Sequence, residues 1–364
     1  MQSDQSLPIG FQRFTRWVVF FAILLIWWGA ATTTKQAGMA FADWPLSLGS
    51  VNPPGWLSYM VPFLEHSHRL LATVVGLMTL ALFWRAYVSR TRRWWEVLLL
   101  VIFLAIVFGT FISAGAERED AIVKAKLIKI GLALSLVPLA WFVWSCWKRN
   151  WSSVEKLSAF ALLMVTAQAI FGGLRVTEIS NAFAVVHGCV AQAFFCVLIL
   201  ISLMASPKWS RFRFKDDSKT AATAVGLTLT LLVSCQLIFG ASMRHFHRSG
   251  LADHDLLKTQ GAWIPSFDEP IIAVMFLHKL TAFVIFLGVI AAAFVFRKLQ
   301  SGRYLRWVLG LVLVQLGLGL TVIATGKNFW ITNFHVLSGL AILALSFTFL
   351  VRALRSAPAD LPQE

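Results

Sequence analysis

Charge is scarce in this 364-residue chain: Asp, Glu, Lys and Arg together make up 13% of it, about half the share of a soluble domain. That scarcity excludes a free nucleic-acid-binding domain and a highly charged disordered segment. Acidic residues are the scarcer sign, 17 against 32 Lys and Arg, which leaves a formal charge of +15. Cysteine is limited to Cys146, Cys189, Cys196 and Cys235, all within or at the edge of apolar stretches and without metal-ligand spacing. A secreted disulfide scaffold is thereby excluded, and the four are expected as buried thiols. What is plentiful is apolar surface, 58% of residues. One soluble core could not hide it; it suffices for about ten membrane-spanning helices of ~20 residues.

Apolar runs bounded by charge or turn residues fall at about 17–33, 64–88, 94–115, 122–147, 155–175, 181–205, 219–241, 271–297, 303–325 and 330–352. With the N-terminus inside, Lys and Arg of the loops and tails divide 20 inside to 7 outside. The basic charge is therefore topology, both termini are expected in the cytoplasm, and membrane lipid is the surrounding partner. Arg13 and Arg16 before the first run imitate a signal peptide, but Trp27-Trp28 and a later echo of its exit favour a retained helix. Two outer loops are long, 34–63 and 242–270, and long loops serve as covers or binding segments.

The chain repeats itself. Gly29-Ala30 leads to Gly38-Met39-Ala40-Phe41-Ala42-Asp43, and Gly240-Ala241 leads to Gly250-Leu251-Ala252-Asp253-His254-Asp255. Each loop then enters a helix with a His-cation pair, His68-Arg69 or His278-Lys279. Gln168 to Gly172 parallels Gln315 to Gly319, and each is followed by a helix with one His near its start, His187 or His335. Four matches in register imply a parallel repeat of two four-helix bundles, with an extra hairpin at about 94–147. The expected division is 1–205 and 206–364.

His68, His187, His278 and His335 are expected in the first two turns or so of their helices, all in the outer leaflet. A single intramembrane His is a hydrogen-bonded core residue or a proton relay. Four at one depth, paired by a repeat, point instead to iron ligation, and two His on facing helices could clamp a haem. The natural pairs are His68 with His187 and His278 with His335. His66, about 200° from His68 around a helix, is set aside because the repeat aligns Arg69 with Lys279. His245, His247 and His254 read as solvated or lid residues. The halves differ three residues before the first His: Glu65 in one, Met275 in the other. Glu65 shares a face with His68 and Arg69. It is either paired with Arg69 at the membrane surface or a carboxylate beside a haem edge.

The motif Glu65-His66-Ser67-His68-Arg69, with Leu70-Leu71-Ala72, Gly38 to Pro45, the run from Gln168 to Leu174 and three further single His, resembles the haem A synthases. The resemblance spans most of the chain except about 94–147. It implies an enzyme that oxidises the C8 methyl of haem O to the formyl group of haem A by successive hydroxylation, serving terminal oxidases. It further implies His68 and His187 as ligands of the substrate haem O, His278 and His335 as ligands of a resident haem b, and Glu65 as the catalytic carboxylate. Arg69 and Lys279 would contact cofactor. An electron donor and haem O synthase are the implied partners, in the cell (inner) membrane. Two features depart from the family: residues 34–63 lack the Cys pair of many bacterial members, and helices 3 and 4 exceed the usual eight. The rival readings are a b-type electron-transfer cytochrome, which would more commonly stack its haems at different depths, and a haem transporter or chaperone.

Overall fold

A computed structural model describes residues 7–214, 219–246 and 255–356. The fold is all-helical: α1 (Ile9–Thr34), α2 (Met60–Thr91), α3 (Trp94–Ala116), α4 (Ala121–Lys148), α5 (Ser153–Thr177), α6 (Asn181–Ala205), α7 (Lys219–His245), α8 (Pro270–Val295), α9 (Gln300–Ala324) and α10 (Phe329–Leu354). All ten are long and apolar enough to cross a bilayer, and the molecule is a multi-pass membrane protein. Helix starts follow local chemistry. Asp120, Ser180 and Asn328 accept backbone N–H bonds at the starts of α4, α6 and α10, and Ser152 with Glu155 forms a reciprocal capping box on α5.

Several helices outrun their apolar cores. α1 begins at Ile9 rather than 17, and α2 runs from Met60 to Thr91 rather than 64–88. Hydropathy marks the hydrocarbon span, whereas the backbone ladder continues through polar ends. In consequence His68 is the ninth residue of α2, in its third turn; His278 is likewise the ninth of α8, which begins only one residue before its apolar run. His187 and His335 are the seventh residues of α6 and α10. The cysteines also depart from expectation: all are unpaired, but only half-buried at 146, 189 and 196, and exposed at Cys235. An outward thiol on a spanning helix has lipid, rather than protein, for its apolar surroundings.

Two compact units divide the chain at Pro207/Lys208. In the first, α1, α2, α5 and α6 close a ring, each touching the next. The α3–α4 hairpin lies outside that ring against α5, with α3 also meeting α2. Phe111, Val107, Ile170 and Leu174 seal it along its length, and a Cβ on Gly131 would come within 2.8 Å of Thr110 Oγ1. At one end the hairpin is tied by charge. The Tyr87 hydroxyl and an Arg149 Nη1 both donate to Glu96 Oε2, and Arg93 donates to Glu96 Oε1 at 3.1 Å; beside them Arg90 Nε on α2 donates to Glu155 on α5 at 2.8 Å. In the second unit α7, α8, α9 and α10 close an equivalent ring.

Candidate functional site

In each ring the histidines occupy one diagonal and glycines the other. His68 on α2 and His187 on α6 are at opposite corners, as are His278 on α8 and His335 on α10. Each imidazole rests on a glycine of the preceding helix. A Cβ on Gly29 would stand 3.0 Å from Cε1 of His68; on Gly172, 3.1 Å from His187; on Gly240, 3.2 Å from His278; on Gly319, 3.1 Å from His335. All four glycines lie five residues before the end of their helix. Any larger residue would crowd the ring, so these are built seats rather than chance contacts.

In the first bundle hydrogen bonding leaves ring nitrogens available. His187 Nδ1 is 3.0 Å from the Gln168 carbonyl oxygen, while Gln168 Nε2 donates to the His187 carbonyl at 3.0 Å. A carbonyl only accepts, so Nδ1 carries the proton and Nε2 keeps its lone pair, the tautomer a metal ligand needs. Gln236 and Gln315 place amide nitrogens 3.4 Å and 3.3 Å from Nε2 of His278 and His335. Nδ1 of His68 is buried without a hydrogen-bond partner. Among the described residues no hydrogen bond reaches the His68 ring at all. Each pair is close enough for mutual electrostatic influence. No cluster of three or more His, Cys, Asp or Glu suited to a metal ion occurs among the described residues, so the donor chemistry is that of imidazole pairs. Paired imidazoles on facing helices of a bundle are a donor set suited to a haem iron; in the second bundle the Gln236 and Gln315 amides face Nε2 and would turn aside for one.

The loop between α1 and α2 is clamped over one end of the first bundle. Glu65, 3% exposed, accepts the N–H of Ala40 at 2.5 Å and of Phe41 at 3.2 Å, and pairs with Arg69 at 2.6 Å. Arg69 in turn donates to the carbonyls of Asp43 at 2.7 Å and Phe41 at 3.2 Å, and to that of Leu46. His66, equally buried, bonds Ser47 Oγ at 2.9 Å and the Val51 carbonyl at 3.0 Å. Trp44 lies flat on Gly173, where a Cβ would be 2.5 Å from the indole. Asp43 receives the N–H groups of Leu48 and Gly49 at 2.9 Å and 2.7 Å. Burial pushes its carboxyl up, but these bonds and the Arg69 charge outweigh that and hold it below the ordinary value of 3.8.

The second bundle repeats the clamp in reduced form. Asp255 receives Gly261 N–H at 2.6 Å, and Lys279 Nζ donates to the carbonyls of Asp255 at 2.8 Å and of Lys258. Leu48-Gly49 and Gln260-Gly261 are both left-handed pairs, and antiparallel bridges join Ser47 to Ser50 and Thr259 to Ala262. Asp43 and Asp255 were the matched residues of the two long loops, and they hold the same turn. No carboxylate matches Glu65; Met275 is buried at that position.

Residues 129–347 match the model of a protein family described as COX15-CtaA, cytochrome oxidase assembly protein. The chain belongs to that family. The family match includes His187, His278 and His335 and begins within α4, beyond Glu65 and His68. A heme A synthase of Halalkalibacterium halodurans is 24% identical over 259 residues, covering 67% of this chain and 82% of the relative.

Some functional geometry escaped the sequence reading. Arg69 and Lys279, expected at cofactor, are engaged by loop carbonyls. His66, set aside as a ligand, pins the loop. Gln236 is spaced from Gly240 as Gln168 is from Gly172, a visible signal that links α7 to α5 and α9. His245 is the last residue of α7 rather than a loop residue; His247 and His254 lie outside the described residues.

Proposed function

We propose that the protein is a haem A synthase, oxidising the C8 methyl of haem O to the formyl group of haem A through a hydroxylated intermediate. The observation that carries this is the pairing of two glycine-seated His diagonals with a buried carboxylate at only one. Membership of a cytochrome oxidase assembly family and a heme A synthase relative support the same reading. His68 and His187 would hold the substrate haem O, and His278 and His335 would hold a resident haem b, which would supply electron-transfer capacity. Haem bound at such pairs supplies the redox-active iron. The Gln168 carbonyl fixes the His187 tautomer, and the glycine seats orient all four rings. Glu65 is the catalytic carboxylate beside the oxidised edge, with Arg69 and the Ala40 and Phe41 N–H groups fixing its position. The loop from Ala37 to Val51, held by Glu65, His66 and Arg69, excludes water from that end.

The positive-inside distribution of Lys and Arg favours cytoplasmic termini and haem sites near the outer face of the cell membrane. Haem O synthase supplies the substrate, and a separate donor supplies electrons. The test is extraction and mass analysis of haems from protein purified from a host that makes haem O. Haem A or its hydroxylated precursor, absent with Glu65→Ala, is the expected result. Haem B alone, with haem O unchanged in the presence of electron donors, would instead mean an electron-transfer cytochrome.

A further inference from the structure

Arg175, in the last turn of α5, is a cation beside the first His pair without a counterion in contact. Carboxylates of the same unit pair with other cations: Glu65 with Arg69, Glu155 with Arg90, Glu96 with Arg93 and with Arg149, and Glu178 with Lys124. None includes Arg175, and no hydrogen bond from its guanidinium occurs among the described residues. The group is half-buried and pressed against Gly38, where a Cβ would stand 2.4 Å from Nη2 and 2.9 Å from Cζ. The charges around it include His68, His187 and Glu65. Glu65 acts on it only through space, its oxygens being bonded to Arg69 and two loop N–H groups. Asp43 is turned to Leu48 and Gly49. A half-buried guanidinium at a membrane bundle without an anion in contact is costly.

We propose that Arg175 anchors a carboxylate of the ligand held by His68 and His187, a porphyrin propionate. This rests on the assignment of a haem to the first bundle. Propionates are the charged edge of an otherwise apolar macrocycle, and a guanidinium fork matches a carboxylate in geometry as well as charge. Two axial imidazoles leave a porphyrin free to rotate in its own plane; a fixed carboxylate removes that freedom. Arg175 is therefore a positioning residue that selects which ring edge is presented for oxidation. In the second bundle the position three residues beyond the glycine seat is Val322, not a cation, so that position does not supply an anchor there.

The test compares iron protoporphyrin IX with its dimethyl ester by absorbance titration of the full-length protein, with Arg175→Gln, Arg175→Lys and His68→Ala variants. The unmodified chain should bind the free acid roughly tenfold or more tightly than the ester at the His68-dependent site. Arg175→Gln should lose that preference by weakening the acid alone, and Arg175→Lys should retain part of it. An unmodified chain without the preference, or one that persists in Arg175→Gln, overturns the anchor and leaves the haem assignment standing. A titration untouched by His68→Ala overturns the haem assignment and the anchor with it.

Discussion

A Cβ on Gly172 would stand 3.1 Å from Cε1 of His187. The helix that precedes each histidine thus sets the ring's position by omitting a side chain. Valine at Gly172 or at Gly319 should displace the ring it faces, at an overpacking cost of about 1–3 kcal/mol. Haem stoichiometry and absorbance spectra of the two variants should fall independently, one for each bundle. Full haem content in Gly319→Val would show that the seat has no part in ligation.

His278→Ala and His335→Ala should each remove the spectrum of the resident haem. His68→Ala and His187→Ala should spare it and abolish haem O oxidation. Redox-difference spectroscopy with haem extraction separates the two classes. Loss of the resident spectrum in His68→Ala would break the assignment of one haem to each bundle.

Glu65→Ala should block product formation while the resident haem spectrum remains. It should also free the loop, since the Ala40 and Phe41 N–H groups and Arg69 lose their acceptor together. Breaking a buried pair of this kind costs about 3–5 kcal/mol. Limited proteolysis should therefore cut between residues 37 and 51 in the variant and not in the parent. A variant that resists protease yet lacks activity would assign Glu65 to chemistry alone.

The turn at Asp43 should weaken in acid. Its carboxyl is held below 3.8 in the folded chain, so its contribution is fully present above that value and is lost as pH falls through the lower folded value. Hydrogen exchange at the Leu48 and Gly49 amides should rise in excess of the intrinsic trend as pH drops below about 4. Asp43→Asn should remove that excess. The same acid dependence in Asp43→Asn would place its origin elsewhere.

Glu96→Ala should loosen the α3–α4 hairpin, because Tyr87, Arg93 and Arg149 share that carboxylate. The expected readout is faster exchange in α3 with the haem spectrum unchanged, since the hairpin lies outside the ring of four.

The helices and the four histidines were legible because a bilayer demands about twenty apolar residues and tolerates few buried polar ones. The loop turns at Asp43 and Asp255 were legible only as a match, and their left-handed Leu48 and Gln260 were not. Non-glycine residues adopt that conformation because the Asp and the cation fix the surrounding backbone. Arg175 closes the apolar run 155–175, and the backbone ladder continues past it to Thr177, which nothing in the hydropathy marks. That Glu65 faces Arg69 follows from their i, i+4 spacing, and the two are 2.6 Å apart. The two loop N–H groups on Glu65 come from residues about 25 positions away, a closure no local pattern announces.

The glycine seats also act as a gauge of depth. A helix that slid by one residue would move 1.5 Å along its axis and turn by about 100°, bringing a side chain such as Ala30 or Ala241 toward the imidazole instead of bare backbone. Neighbouring helices therefore have one mutual height at which the histidines fit. The pockets are levelled by the chain itself, before any ligand arrives.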